Sequence, residues 1–398
     1  MNTFRTPLII LWLAFGLVIP AAAQDTNVVT GCVGNFDPTV DYFPDKVELT
    51  HAQGLEIQYF GNYKVVRTLT PYPGAPDALE YVLVQCGTPA PEGYDGAQVI
   101  EVPIQRFVSL STTQLPPLRD LGHLDSLIGI DSFSYQLTNT TEVLERIAAN
   151  QVVDVGSDAG INLEVVLDLE PDVVMGNSFD GANDAHPVLR DAGVASVVNS
   201  EWLETTLLGR AEWIKFLAVF FNEEARANAI FDTVESEYQA AADLAAGVPE
   251  DERLTILWNS FSIYSDAWVI PGQQTWVGEL LHDAGVDYVL MDDAPDTSQN
   301  FSFEAVFDAG VDAPVWIPNA FLVNTAEELL GQDSRYADFA AFQSGVVYND
   351  TNRVNANGGN DFWETGINHP QLILQDLVSI FYPDLLPGHT LMFYKKLS

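Results

Sequence analysis

Basic residues are scarce in this sequence. Lysine and arginine together number 16, against 56 aspartates and glutamates, and the formal net charge is −40. A surface of this sign repels nucleic acid and the anionic faces of membranes, which argues against partners of either kind. Hydrophobic residues nevertheless make up 47% of the 398 residues, enough to bury the cores of two ordinary domains. We therefore expect a folded monomer that does not bind nucleic acid.

Catalytic and metal-binding motifs are absent as well. The sequence has no Gly-x-Ser-x-Gly turn, no phosphate-binding glycine loop and no His-Glu-x-x-His. Its six histidines are scattered and never stand at the spacing of metal ligands. His186 is the best candidate, and a role in a loop or at a helix start suits it better. We expect neither an enzyme nor an intrinsic metal or cofactor.

Only two cysteines are present, Cys32 and Cys86. In an exported chain such a pair suggests a disulfide, which would close the N-terminal segment. Residues 29–32, Val-Thr-Gly-Cys, also resemble a lipobox, in which the cysteine becomes the lipidated N-terminus. Asp25 and other polar residues separate this motif from the apolar run before it. The sequence leaves the disulfide, the lipidated form and free thiols open as alternatives.

An apolar run stands near the start of the chain. Leu8 to Ile19 follows Arg5 and precedes alanines 21–23, a pattern typical of an export signal over residues 1–23. The run is too short to span a bilayer, which argues against a membrane anchor. We expect an exported protein in the periplasm or on the outer face of the cell membrane.

The rest of the chain divides by its pattern of apolar residues. Short alternating or β-branched runs, punctuated by glycine and proline, predict a small β-rich extension over 24–104. From Arg106 onward strands alternate with helices, which is the pattern of parallel α/β units. This alternation predicts an N-terminal lobe over 105–208 and a C-terminal lobe over 248–398.

The segment between the lobes, 209–247, is predicted to be helical. Gly209 to Phe221 forms one apolar-faced segment, and Asn222 is the expected N-cap of a second helix that runs to about Ala246. At about 1.5 Å per residue the second helix spans roughly 35 Å, enough to bridge two domains.

Two stretches of the chain resemble each other. Asn162 to Asp168 matches Ser302 to Asp308 at a displacement of 140 residues, and Asp172 matches Asp312 at the same displacement. A second set recurs in the same order: Leu118, Asp120 and Gly122, then Leu281, Asp283 and Gly285. Two copies of one βα pattern imply two similar lobes.

Several stretches after residue 104 also carry a family resemblance. They are Arg106 to Ser111, Asn162 to Val174, Phe342 to Tyr348 and the tail from Asp361 to Leu397, which contains Tyr382 to Pro387. Together they resemble the helical-backbone periplasmic binding proteins of ABC importers for iron–siderophore complexes and vitamin B12. The resemblance implies an α/β fold of two Rossmann-like lobes joined by a long α-helix, with the ligand cleft between the lobes.

The resemblance also implies partners. In that family each lobe presents a glutamate that docks on arginines of the ABC permease, and the matching positions are Glu164 and Glu304. Both stand two residues after an expected helix cap, where a carboxylate complements the helix dipole. The implied ligand is a ferric chelate such as an iron–siderophore complex. A cobalamin or haem receptor, and a direct receptor for zinc or manganese ions, stay open as alternatives.

The ligand is expected at the loops that leave the strand ends, as in other open α/β sheets. Aromatic side chains with a few polar groups suit a large, flat organic chelate. The candidate ligand-binding residues are Ser111, Thr112, Thr113, Asn177, Trp258, Tyr264, Phe321, Arg353 and Trp363.

Overall fold

The computed structural model describes residues 26–157, 160–181, 184–262 and 265–398. The expected export signal, residues 1–23, lies outside the described residues. Within the described ranges no helix has both the length and the apolar character needed to cross a membrane. These ranges contain two α/β lobes, a linking helix and a β-rich extension, which confirms the predicted fold class.

A mixed sheet forms the core of the N-terminal extension. Its strands, in spatial order, are β1 (Leu55–Tyr59), β2 (Tyr63–Thr68), β3 (Leu79–Gln85) and β4 (Gln98–Val102). β1 to β3 are antiparallel neighbours, and β4 lies parallel to β3. Val65 pairs with Val82 and Val66 with Tyr81, and all four side chains are buried. Because successive residues of a strand point to opposite faces, both faces of this sheet are covered.

The two cysteines meet at the end of β3. Cys86 forms a disulfide with Cys32, and their Cα atoms are 4.9 Å apart. The backbone N–H of Val33 donates to the Cys86 carbonyl at 2.9 Å, which holds the N-terminal segment beside the strand. Lipidation of Cys32 would require a free thiol, so that form and the disulfide in the structure exclude each other.

The N-terminal lobe is a parallel sheet flanked by helices. Its strands are β5 (Phe107–Ser109), β6 (Leu127–Ile130), β7 (Val153–Asp154), β8 (Val173–Gly176) and β9 (Ser196–Val198), in the spatial order β7-β6-β5-β8-β9. The connecting helices are α1 (Leu115–Asp120), α2 (Ser132–Leu137), α3 (Thr141–Ala148), α4 (Leu163–Leu169) and α5 (Ala185–Asp191). Strands β5 and β8 are fully buried, as expected of parallel strands that helices cover. Asn162 caps α4 by accepting the N–H of Val165, as predicted.

The linking segment consists of α6 (Leu207–Glu212), α7 (Ile214–Phe221) and α8 (Glu224–Ala246). The prediction of one continuous segment from Gly209 to Phe221 is wrong, because Trp213 separates two helices. The prediction that Asn222 caps α8 is also wrong. Its φ of 59° is left-handed, so it ends α7, and its side-chain amide is buried against Lys64 and Gln85.

Helix α8 carries one lobe near each end. Arg226 lies against Gly122, where an added Cβ would come 2.7 Å from the guanidinium. Ala245 lies against Gly285, where an added Cβ would come 2.9 Å from the Ala245 carbonyl oxygen. Both glycines have positive φ, +81° and +74°, in the repeated turn of the two lobes. The repeat therefore marks where each lobe packs on the linking helix, at points roughly 28 Å apart along its axis.

The C-terminal lobe repeats the sheet order of the first lobe. Its strands are β10 (Thr255–Trp258), β11 (Phe261–Ser262), β12 (Ala267–Ile270), β13 (Asp287–Tyr288), β14 (Gln299–Phe301), β15 (Trp316–Ile317), β16 (Tyr348–Asn349) and β17 (Lys395–Lys396). The parallel order β13-β10-β15 continues through a bridge from Trp316 to Val347, which matches β6-β5-β8-β9. The strand predicted from Tyr288 to Met291 ends at Tyr288, because Leu290 takes a left-handed φ of 62°.

Helices cover the sheet of the C-terminal lobe. They are α9 (Trp276–Asp283), α10 (Phe303–Gly310), α11 (Ala326–Gln332), α12 (Ala340–Ser344), α13 (Thr365–Asn368) and α14 (Pro370–Phe381). Ser302 caps α10 by accepting the N–H of Ala305 at 3.2 Å, as predicted from the repeat. Trp268 and Trp316 are fully buried in this lobe's core, with ring centroids 6.0 Å apart.

A buried ion pair ties the extension to the junction of α7 and α8. Lys64 Nζ lies 2.6 Å from Glu224 Oε1, and neither side chain is exposed. The ammonium also donates to the Val219 carbonyl and to Asn222 Oδ1, at 2.6 and 2.7 Å. Asn27 donates to the second oxygen of Glu224 at 2.7 Å. Because a buried charge without its partner is strongly unfavourable, these contacts hold the extension in one position.

The pH dependence of stability is expected to respond to Glu279 on α9. Burial, and then the charge of Asp283 one turn later, raises the pKa of Glu279 from 4.5 to about 7. Between pH 4.5 and about 7 the folded state therefore holds a proton that the unfolded state has released, so stability falls as pH rises through this range. Replacing Glu279 with glutamine should remove this loss. After allowance for solvent screening, the variant should gain about 1 kcal/mol over the wild type between pH 5 and pH 8.

Urea unfolding of Glu279→Gln and the wild type at pH 5, 6.5 and 8 measures this difference. Glu237→Gln, at an exposed position of α8, is the matched control and should follow the wild type. Stability curves for Glu279→Gln and the wild type that stay parallel across this range would contradict the assignment.

Candidate ligand-binding cleft

A cavity of about 270 Å³ lies at the carboxyl ends of the N-terminal lobe's strands. Strands β5, β6 and β8 end at the same edge of the parallel sheet, and the loops that leave them line the cavity. Two of the lining residues, Phe133 and Phe179, expose large phenyl rings. The lining residues are Leu110, Ser111, Thr112, Asp131, Phe133, Ser134, Ser157, Asn177, Phe179, Ala185 and His186.

The loop after β5 is shaped by its own hydroxyl groups. Ser111 Oγ accepts the N–H of Thr113 at 3.3 Å, which starts a short 3-10 helix at Thr112. Beneath it, Ser109 Oγ donates to Gln114 Oε1 at 2.7 Å. Ser111 and Thr112, two of the candidate ligand-binding residues, line the cavity. Thr113, the next candidate, is not among the lining residues, and its carbonyl accepts a hydrogen bond from Asn368 of the other lobe.

The loop after β6 contributes residues that the sequence analysis missed. Asp131 directly follows β6 and accepts the N–H groups of Phe133 and Ser134, which fixes the start of α2. The sequence could have indicated Asp131, because β6 was predicted to end at Ile130 and a residue just after a parallel strand lies at the edge of the sheet where ligands bind.

The loop after β8 is anchored by a buried histidine. His186 Nε2 lies 3.0 Å from the Asn177 carbonyl, and Nδ1 lies 2.7 Å from Ser196 Oγ. Burial lowers the pKa of His186, so the ring is neutral and donates from Nε2 to the carbonyl. Asp184 accepts hydrogen bonds from Ser178 Oγ and from the N–H of Gly181. Nε2 of His186 thus holds the Asn177 backbone at the cavity, while the contact of Nδ1 with Ser196 fixes the ring.

The edge of the C-terminal sheet carries an asparagine pair. Asn259 follows β10 and Asn319 follows β15, both with positive φ, and Asn319 Nδ2 donates to Asn259 Oδ1 at 3.0 Å. Asn259 Nδ2 donates onward to the Val269 carbonyl at 2.8 Å. This pair stiffens the second lobe's edge at positions equivalent to the polar loops of the first lobe.

Only some of the candidate ligand-binding residues of the second lobe are exposed in the structure. Trp258 is 4% exposed and lies in the core, where its carbonyl accepts the indole N–H of Trp268. Phe321, in contrast, is 76% exposed, and the neighbouring Leu322 is also exposed. Tyr264 lies outside the described residues. Large exposed apolar side chains in a cluster mark a binding surface, which favours Phe321 over Trp258.

Residues 353–369, named the strap, connect the second lobe to the first. Asn355 Nδ2 donates to the carbonyls of Leu137 and Thr138 at 2.9 and 3.0 Å. Glu364 Oε2 accepts the N–H of Asn139 at 2.6 Å. Further contacts join His369 to Asp120, Asn357 to Gln136 and Asn368 to Thr113. The strap therefore bridges the two lobes along the end of α2.

Glu364 is an enclosed acceptor of the strap. It is 2% exposed, and its Oε1 accepts the hydroxyl groups of Thr138 and Thr140 at 2.7 and 2.6 Å. Burial raises the pKa of Glu364, although these hydroxyl groups and the Asn139 N–H oppose that rise. A side chain of the second lobe, Glu364, is thus fixed by hydrogen bonds from residues of the first lobe.

The two predicted ligand residues of the strap have different surroundings. Arg353 Nε lies 2.5 Å from Asp361 Oδ2, an ion pair that shapes the loop. Trp363 is 47% exposed, and its ring meets the edge of Trp276 with 5.9 Å between centroids. Trp363 therefore offers an aromatic surface, while the charge of Arg353 is already balanced.

The predicted docking glutamates occupy equivalent positions in the two lobes. Glu164 and Glu304 stand in the first turns of α4 and α10, and both are exposed. Arg335 lies 3.1 Å from Glu304 and rests 3.6 Å above the Phe303 ring. The second lobe's glutamate is thus held by a neighbouring arginine.

The family model for periplasmic binding proteins matches residues 107–354, more than half of the chain. The chain belongs to the periplasmic binding proteins. It is thus a substrate-binding protein of ABC transport and not an enzyme. An uncharacterized lipoprotein of Methanocaldococcus jannaschii is 24% identical over 76% of this chain and 71% of that protein.

Solved structures share the fold of this periplasmic binding protein. A periplasmic heme binding protein from Pseudomonas aeruginosa aligns with a TM-score of 0.54 and 21% identity, covering 74% of this chain and 98% of that one. A possible iron-binding periplasmic protein from Staphylococcus epidermidis aligns with a TM-score of 0.53 and 14% identity, covering 70% and 99%. At these identities the likeness establishes the fold alone.

No group of three or more histidine, cysteine, aspartate or glutamate side chains in the described ranges is arranged to hold a metal ion. His186, the best sequence candidate, uses both ring nitrogens in the contacts described above.

The strap is expected to tolerate no side chain at Gly359. A Cβ added at Gly359 would lie 1.8 Å from the Leu137 carbonyl oxygen, so alanine must displace the strap from the first lobe. We expect Gly359→Ala to destabilise the protein by about 2 kcal/mol or more. Gly331→Ala is the matched control, since nothing lies within 4 Å of its Cβ position on α11.

Thermal and urea unfolding compare the two variants. Gly331→Ala should be neutral or stabilising by up to about 1 kcal/mol, because alanine is the better helix former. Equal stabilities for Gly359→Ala and the wild type would show that the strap does not pack as described.

Proposed function

We propose that this periplasmic binding protein captures a ferric organic chelate, such as an iron–siderophore complex, and delivers it to an ABC permease. The observation that carries the proposal is the cavity at the strand ends, where hydroxyl and amide groups share the lining with the exposed rings of Phe133 and Phe179. Small-molecule sites combine such apolar walls with a few polar groups that orient the ligand.

The composition of the cavity favours a chelate over a bare metal ion. A zinc or manganese site needs three or four histidine and carboxylate ligands that converge on the ion. The described lining offers one carboxylate, Asp131, and one histidine, His186, whose nitrogens already have partners. Exposed rings instead suit the organic skeleton of a chelate, and haem or a corrinoid is the second candidate for the same reason.

The second lobe would complete the site. A volume of about 270 Å³ is small for a whole chelate, so part of the ligand would remain outside the first lobe. Phe321 and Trp363 of the second lobe are exposed and would supply further apolar contact. We propose that the ligand lies between these rings and the cavity.

The place of action follows from the family. The protein is proposed to be exported and held at the cell envelope, where a binding protein meets its permease. The apolar run of residues 1–23 supports export, and two relatives from Methanocaldococcus jannaschii are named lipoproteins.

Capture is tested with protein purified after exposure to ferric chelates. Native mass spectrometry and an absorbance spectrum should find one coloured chelate per chain. Phe133→Ala and Phe179→Ala should each weaken binding about tenfold, because each loses the burial of a phenyl ring against the ligand. Phe36→Ala, at an exposed phenyl of the extension, is the matched control and should bind normally.

The proposal fails if the protein is colourless and carries one zinc or manganese ion per chain. It also fails if the two cavity phenyl variants and the control bind a chelate equally well.

Docking is proposed to use Glu164 and Glu304. Both carboxylates are exposed at the same point of the repeated helix, so they can face one permease surface together. Arginine at both positions should abolish uptake by the reconstituted importer while the Kd for the ligand stays unchanged, because repulsion replaces attraction at the interface. Glu237→Arg, on exposed α8, should leave uptake intact. A loss of ligand affinity in the double variant would argue against a docking role.

A further inference from the structure

A pocket of about 200 Å³, named the α10 pocket, adjoins the second lobe's docking glutamate and has aromatic walls. Its lining residues are Phe303, Glu304, Phe307, Asp308, Arg335 and Asp338. The rings of Phe303 and Phe307 lie nearly parallel, with 6.0 Å between their centroids, and Phe339 meets the Phe307 ring edge-on at 5.2 Å. Phe303 is buried and Phe307 is half-buried, whereas the charged lining residues are exposed. The pocket therefore combines packed rings with charged groups that face solvent.

The charges around the α10 pocket are mostly negative. Glu304, Asp308 and Asp338 supply three carboxylates, and Arg335 supplies one positive charge. Arg335 lies 3.1 Å from Glu304 and 2.6 Å from Asp333, so its charge is already balanced. In the part of the chain that the structure describes, no cation pairs with the carboxylates of Asp308 and Asp338. Their charge is available to a cation from another molecule.

The protein's own Arg335 shows which kind of cation suits this surface. Its guanidinium carbon lies 3.6 Å from the centre of the Phe303 ring, while carboxylates hold its nitrogens. A guanidinium is planar and weakly hydrated, so it can stack on a ring and donate to carboxylates at the same time. A lysine ammonium is a compact, strongly hydrated charge and stacks less well. Phe307 and Asp308 offer a ring and a carboxylate of the same kind beside the first.

The equivalent helix of the first lobe lacks the aromatic part of this surface. At the displacement of 140 residues, α4 carries Leu163 and Leu167 at the positions of Phe303 and Phe307. It keeps an aspartate, Asp168, so an acidic residue recurs while the rings do not. Leucine offers apolar area without the electron-rich face that attracts a cation. The two lobes therefore present different surfaces beside their docking glutamates.

We propose that the α10 pocket receives an arginine side chain of the permease, so that the second lobe binds the permease more tightly than the first. The inference rests on the proposed docking through Glu304. A permease surface that reaches this glutamate also covers the adjoining pocket, and the excess of carboxylates there matches a cationic side chain. In the docked complex the guanidinium stacks on Phe307 and donates to Asp308 and Asp338.

A small probe tests the chemistry of the occupant without the permease. The protein carries 4-fluorophenylalanine at position 307 alone, and NMR follows its fluorine resonance as N-acetylarginine amide is added. The titration extends to about 50 mM, because so small a fragment binds weakly. N-acetyllysine amide at the same concentrations matches charge and ionic strength, and should shift the resonance at most about a third as far. Asp308→Asn should weaken the Kd of the arginine amide about threefold, since a charge-assisted hydrogen bond is lost.

The affinity for the importer in nanodiscs tests whether the permease fills the pocket. In about 0.15 M salt, Phe307→Leu should weaken binding about fivefold, because the ring face is lost while the apolar volume is nearly kept. Phe307→Tyr retains the ring and should bind within about twofold of the wild type. Asp308→Asn should weaken binding about fivefold. Asp168→Asn, at the equivalent position of the first lobe, is the matched control and should stay within about twofold of the wild type.

Arginine and lysine amides that move the fluorine resonance equally overturn the inference. Equal affinities of Phe307→Leu and Phe307→Tyr for the importer also overturn it, whatever the probe shows. Neither result contradicts docking through Glu164 and Glu304, because the charge reversal of both glutamates tests that proposal separately by uptake.

Discussion

The fixed length of helix α8 is the constraint on which the rest of the structure depends. Its backbone hydrogen bonds set the separation between the points where the two lobes pack, at Arg226 and Ala245. Each lobe meets the helix through a left-handed glycine turn, Gly122 or Gly285, because a side chain at either position would collide with the helix. The strand ends of both lobes are thereby held at a set spacing, and the cleft lies between them.

Two further connections restrict the movement that α8 alone would allow. The strap joins the second lobe to the end of α2 through Glu364 and Asn355, with contacts that a hinge opening there would have to break. The extension clamps the junction of α7 and α8 through the buried pair of Lys64 and Glu224. Both connections consist of enclosed polar groups. Their geometry is therefore specific, and separating the partners would leave buried polar groups unpaired, which is strongly unfavourable. These features favour capture with small closure over a wide swing of the lobes.

The loops at the carboxyl ends of the strands differ between the two lobes, although the lobes share one fold. In the first lobe the loops after β5, β6 and β8 leave an open cavity bordered by phenyl rings. In the second lobe the equivalent edge is filled by the Asn259–Asn319 pair, and Trp258 turns into the core. The polar groups of the candidate site are therefore concentrated in the first lobe, and the second lobe offers mainly exposed apolar surface such as Phe321.

The sequence by itself indicated the family through the resemblance of its motifs. It also indicated the two-lobe α/β fold and the helix caps at Asn162 and Ser302, because apolar periodicity and capping are local signals. The positions of Ser111, Thr112 and Asn177 at the lining of the cavity were also predictable, since these residues lie in the loops that leave strands of a parallel sheet. Only the tertiary structure decided that Trp258 is buried and that Asn222 ends α7. It also decided that Glu364 accepts hydrogen bonds from a loop 224 residues earlier in the chain. Those outcomes depend on which distant surfaces meet, and the local pattern of residues carries no information about that.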